Sequence, residues 1–306
     1  MNFRTTLVLI FVLLALIGSY FYLDNVKKNN ERLENKTKKL LNIPLDKIKS
    51  YSYKNNLEKF NVKLVNRTDN WFVEEPIISK ANFDAIFNQL DPLINAKYLN
   101  KIEKYKNLSD FGLDKPSMVF EFKTEDGDTT VSFGSKSPTG QEVYVMKNKE
   151  PVVYLFDANL FFSSMRKYYE LRNKNLLDFQ REDVTEISIK NKNGLFVIRK
   201  DENKWNLVHP KKAQLKEKIA IEFLDKIQLE MATDFVEDHP KDLKKYGLED
   251  PQVICTIVTN KTNISEFYFG NEIGDYTYGK NNKLDSVMKV SKYISEKYNF
   301  NLKDLE

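Results

Sequence analysis

The strongest constraint on this chain is that residues 40–306 read as one unit written twice. Leu40-Leu41-Asn42-Ile43 matches Leu176-Leu177-Asp178-Phe179. Ile48, Tyr51, Tyr53 and Lys54 match Val184, Ile187, Ile189 and Lys190 at the same spacing. Trp71 to Pro76 (WFVEEP) pairs with Trp205 to Pro210 (WNLVHP), Gly112 to Pro116 (GLDKP) with Gly247 to Pro251 (GLEDP), and Ser132-Phe133-Gly134 with Tyr268-Phe269-Gly270. Ordered landmarks that slip by only a residue or two point to a tandem duplication. The expected division is 1–23, an N-terminal segment with an anchor; 24–42, a charged stalk; 43–175, a first repeat; and 176–306, a second.

Each repeat has its own local grammar. Ile48 to Lys54 alternates apolar or aromatic residues with polar ones, and Phe60, Val62 and Leu64 alternate again, which is the period of a strand. Asn193-Gly194 is a hairpin turn in the second copy, and Asp126-Gly127 one in the first. Phe83, Ile86, Phe87, Leu90 and Ile94 fall on one face of a helix, as do Ala220, Ile221, Leu224 and Ile227, with Asp91-Pro92 a place for a kink. Further strands are expected near Met118–Lys123, Thr129–Phe133, Glu142–Met146 and Val152–Phe156, and again in the second copy. Strands before and after one main amphipathic helix, without regular β-α alternation, predict two tandem α+β repeats with antiparallel sheets.

The recurrent residues have structural readings. Trp71 and Trp205 carry large apolar area and are expected as buried anchors, each on a short strand that a proline, Pro76 or Pro210, ends. Gly112 and Gly247 suit a positive φ closing a helical turn, while Pro116 and Pro251 set the chain entering a strand. Gly134 and Gly270 follow the phenylalanine that ends a strand.

Little chemistry survives counting. One cysteine, Cys255, excludes an internal disulfide, and two histidines, His209 and His239, leave almost nothing for a zinc or haem site. No metal and no cofactor is expected. Forty-eight basic against 44 acidic residues give a net charge of +4, too small and too evenly spread for a nucleic-acid surface. The Gly134–Gly140 stretch (GSKSPTG) lacks the lysine and Ser/Thr of a phosphate loop, since Gln141 follows Gly140, and reads as a hairpin loop. Cys255 alternates with Val253 and Ile257 and reads as a core residue. The carboxylate pairs Glu74-Glu75 and Asp126/Asp128 sit on no recognisable catalytic scaffold.

Ahead of the repeats, Thr5 to Leu23 is uncharged and as a helix spans roughly 28 Å, which predicts a single-span N-terminal transmembrane helix. A cleaved signal peptide is the alternative, but Ala15 to Tyr20 shows no small-residue cleavage pattern. Arg4 precedes the run and six basic residues between Lys27 and Lys39 follow it, so local charge leaves orientation open. Val26, Leu33 and Leu40 are spaced by seven, which allows a dimerising stalk beside the plain-linker reading.

The Trp-x4-Pro stretch, the amphipathic helix, the Gly-Leu-Asp/Glu-x-Pro turn and the Phe-Gly strand end together resemble the bacterial family catalogued as domain of unknown function 4340, over residues 40–306 as two copies. The resemblance implies a membrane-anchored protein facing the cell envelope, encoded beside ABC-type export permeases and their auxiliary subunits. The expected function is thus noncatalytic: a cell-envelope component at the inner membrane, its C-terminal part extracytoplasmic, whose protein partners are subunits of an ABC-type transporter complex. A groove between the repeats would recognise protein or polymer. The alternatives are an extracytoplasmic hydrolase of glycan or peptide using carboxylates such as Glu74 and Glu75, and a stalk-dimerised spacer.

Overall fold

The computed structural model describes residues 16–25, 38–67, 70–202, 204–260 and 262–305. The chain divides into two compact units, residues 1–171 and 172–306.

In the first unit the strands are β1 (Ser50–Asn55), β2 (Phe60–Arg67), β3 (Asn70–Glu75), β4 (Ser79–Lys80), β5 (Asn100–Ile102), β6 (Met118–Thr124), β7 (Gly127–Lys136), β8 (Glu142–Lys147) and β9 (Val153–Asp157). They form one nine-stranded sheet in the order β4-β3-β2-β1-β6-β7-β8-β9-β5, antiparallel at every pairing. Helix α1 (Phe83–Asn95) connects β4 to β5, and a short helix α2 (Asn159–Ser164) follows β9. Asn82 caps α1, its side chain accepting from the Ala85 N–H at 3.2 Å. The helix runs through Pro92 to Asn95 and buries Ile86, Gln89, Leu90, Leu93 and Ile94.

The second unit repeats this plan. Its strands are β10 (Val184–Asn191), β11 (Gly194–Asp201), β12 (Lys204–His209), β13 (Ala213–Gln214), β14 (Asp234–Asp238), β15 (Val253–Thr259), β16 (Asn263–Ile273), β17 (Tyr276–Asn281) and β18 (Ser286–Ser291). Their order, β13-β12-β11-β10-β15-β16-β17-β18-β14, is the same arrangement, with helices α3 (Glu217–Leu229) and α4 (Lys292–Lys297) in the places of α1 and α2. Even the irregularities correspond. A register shift lies between Phe133 and Lys136 in β7, and another between Phe269 and Glu272 in β16.

Each sheet buries one face under its long helix, where alternate strand residues and the helix stripe make the main core. Tyr51, Trp71 and Phe122 meet there in the first unit, with Tyr51 and Trp71 edge to face at 5.6 Å. Leu40 and Leu41 belong to the first core, as Leu176 and Leu177 do to the second. A smaller apolar cluster on each unit sits under the turn that carries Gly112 or Gly247. Phe111 packs on Tyr144 in one and Tyr246 on Tyr278 in the other, both at 4.9 Å.

Two findings correct the expectation of α+β repeats behind an N-terminal transmembrane helix. From residue 38 on, each unit is dominated by its large antiparallel sheet, with nine strands against one long and one short α-helix among the described residues. The period-two signal undercounts such sheets because β4, β5 and β13 are only two or three residues long. No helix among the described residues is long and apolar enough to cross a membrane. Residues 16–25 are helical. The rest of the apolar run, residues 5–15, lies outside the described residues, as do Val26 and Leu33 of the proposed stalk seam.

Candidate functional site

Of the ten recurrent residues, four form two copies of one contact. Gly112 closes a 3₁₀ turn (Leu108–Phe111) with φ +65°, and Gly247 closes another (Lys244–Tyr246) with φ +67°. Each turn presses onto the strand glycine of its unit. A Cβ on Gly134 would stand 2.1 Å from the Phe111 carbonyl oxygen, and one on Gly270 equally 2.1 Å from that of Tyr246. The Gly-Leu-Asp/Glu-x-Pro and Phe-Gly motifs are thus two sides of one backbone approach. Pro116 and Pro251 lead from the turns towards β6 and β15, and Pro76 and Pro210, each after a cis peptide bond, follow β3 and β12. Trp71 and Trp205 are both buried, each accepting at its carbonyl a backbone hydrogen bond from the segment after β4 or β13.

The carboxylates considered for catalysis do not converge. Glu74 ion-pairs with Lys63 (2.5 Å) and Arg67 (3.0 Å), and the Lys63 hydrogen bond above all holds its carboxyl below the usual range. Its neighbour Glu75 is exposed, as are Asp126 and Asp128. The loop after Gly134 commits its hydroxyls to a carboxylate, since Ser137 and Thr139 both donate to Glu142 and lower its pKa. A phosphate would meet that negative charge. His209 is exposed, and the exposed His239 pairs with Asp285 at 2.9 Å. Among the described residues no cluster of histidine, cysteine and carboxylate side chains could hold a metal ion.

A feature with chemical character among the described residues lies in the second unit, and the sequence reading did not find it. A cleft of about 370 Å³ opens beside α3 and α4, with Phe223, Lys226, Ile227 and Glu230 on one side and Tyr293, Lys297 and Tyr298 on the other. Glu230 follows the last turn of α3 and is only 7 % exposed. Tyr298, itself buried, donates its hydroxyl to Glu230 Oε2, while Lys297 Nζ stands 3.5 Å from Oε1. Burial raises the Glu230 pKa, and the Tyr298 hydrogen bond and the lysine charges offset this only in part. Lys297 also lies over the Tyr293 ring at 4.5 Å. Behind the pair, Cys255 is fully buried, and desolvation with the Glu230 charge pushes its thiol well up, away from nucleophilic chemistry.

The corresponding place in the first unit carries different polar groups, with Arg166 donating to the Met165 and Asn88 carbonyls. Where the second has Glu230 and Tyr298, the residues capping α1 and α2 are Ala96 and Met165. In the place of Phe223 stands Gln89, buried, accepting from Tyr51 and donating to the Ser164 carbonyl at 3.0 Å. There α1 and α2 pack directly together. A carboxylate on the core side of one copy, opposite an alanine in the other, is the sequence signal that would have marked the site.

No curated protein and no solved structure matches the chain. The model of the family described as "Domain of unknown function (DUF4340)" matches residues 71–240 and 220–306. Those matches begin at Trp71 and between them take in the turn, the strand glycine and the long helix of both units, so the chain belongs to the DUF4340 family.

Proposed function

We propose that this chain is a noncatalytic binding protein of the cell envelope, that its second unit does the recognising, and that its partner is a subunit of an ABC-type transporter complex. The observation that carries the reading is the divergence of the two copies. On one sheet plan, the first unit closes α1 against α2 around an internal amide, while the second keeps an open, charged cleft beside α3 and α4. Beside it Leu229 (75 % exposed), Met231 and Tyr293 leave apolar surface in water. The transporter as partner is supported by the resemblance given above.

The test is capture from detergent extracts of the native cell with the tagged full chain. Recovery of a transporter permease or auxiliary subunit, lost when Leu229 and Tyr293 are changed to Asp, is the expected result. Capture that yields no transporter component, or that ignores both substitutions, overturns the reading.

A further inference from the structure

The cleft in the second unit is large enough for a small ligand, and its charges decide which kind. A volume of about 370 Å³ lies at the lower end of small-molecule sites, roughly 300 to 1,000 Å³. Phe223, Ile227 and Tyr293 give it apolar walls. Its charged groups are two ammonium groups, Lys226 and Lys297, against the single carboxyl of Glu230. Burial favours the neutral form of that carboxyl, and the Tyr298 hydroxyl already occupies one of its oxygens. Of the other charges on the two helices, Asp225 pairs with Arg181, Glu222 with Lys218 and Lys292 with Glu272, while Glu217 and Glu296 are not among the residues that line the cleft. The cleft is therefore positive. Lys297 is held loosely at 3.5 Å, so it can turn to an arriving anion while Glu230 keeps Tyr298 as its partner.

We propose that this cleft binds a small monocarboxylate with an aryl or short alkyl body, its carboxylate taken by Lys226 and Lys297 and its body by Phe223, Ile227 and Tyr293. The proposal rests on the reading of this cleft as the recognition site and adds the chemistry of what enters it. An amine of the same shape would face both lysines. A neutral analogue would gain the walls alone.

The experiment is a ligand-observed NMR titration of the full chain with 4-phenylbutyrate, and in parallel with 4-phenylbutylamine and 4-phenylbutanol. The carboxylate should bind saturably, with the amine and alcohol weaker by roughly tenfold or more, the scale of a charge-assisted hydrogen bond. Lys226→Met and Lys297→Met should each weaken the carboxylate by roughly tenfold and leave the alcohol unchanged. Retained alcohol binding shows that the variants remain folded. Tighter binding of the amine, carboxylate binding indifferent to both lysines, or no saturable binding at millimolar concentration overturns the proposal. The titration needs no protein partner, so its failure leaves the capture experiment standing, and a failed capture leaves the titration standing.

Discussion

Glu230 is a carboxyl group held largely out of water. Its pKa is raised in the folded chain by burial, so the folded state keeps a proton that the unfolded state releases. Its contribution to stability therefore falls as pH rises from the ordinary carboxylate range to the raised value. Glu230→Gln keeps the shape and can still accept from Tyr298. The variant should match the parent in acid and become progressively more stable than it across that window, which urea midpoints at a series of pH values would show. Equal midpoints throughout would place the carboxyl in water. Arg172 is a second buried charge. Its side chain is fully enclosed, bonded to Asp238 at 2.9 Å and to the Ser286 hydroxyl at 2.9 Å, and it lies 3.6 Å from the Phe235 ring centre. Arg172→Ala should cost about 3 kcal/mol in chemical denaturation, because it strips Asp238 of its cation and empties the stack. Neither residue was legible in the sequence. Periodicity finds apolar residues on a face, and a lone charge among them looks like a solvated position until the fold closes over it. Trp71 and Trp205 were legible because bulk and recurrence both point inwards.

At the scale of elements, the long strands and both long helices could be read from their periods, since β1, β2, β6 and α1 alternate or stripe over six residues or more. What could not be read was the partner of each motif. The Gly112 turn and the strand glycine at 134 lie far enough apart in sequence to look like separate landmarks, yet they are one contact. Gly134→Ala should therefore behave as a packing defect in a strand and not as a loss of chain freedom, costing roughly 2 to 3 kcal/mol. Gly270→Ala should cost the same in the second unit. Thermal or urea unfolding of the two variants checks both values. A loss of only a few tenths of a kcal/mol would mean that the turn moves away from the strand without difficulty.

For the whole molecule, the division into two compact units with separate main cores predicts two unfolding events. The chain has two tryptophans, one in each core. With Trp205→Phe the remaining fluorescence follows the first unit, and with Trp71→Phe the second. Added to these backgrounds, Gly134→Ala should lower the midpoint that Trp71 reports and leave the one that Trp205 reports in place. Equal shifts in both would show a single cooperative body. The anchor expected at residues 5–23 falls for the most part outside the described residues, among which no helix is long and apolar enough to cross a membrane.

Carrying one sheet plan twice on a single chain creates a danger that a lone copy would not face. A strand from one copy has a near-equivalent competitor in the other, and any long bare margin would invite templated pairing, within the molecule or between molecules. The margins of these sheets offer little to copy. β4 and β13 are two residues long and β5 three. The longer margin, β14, is broken by a register shift between Phe235 and Glu237 and carries Asp234, Glu237 and Asp238. Truncated and acid-marked borders allow a duplicated sheet to persist in one polypeptide as two separate folds, protected from fusing into a fibre.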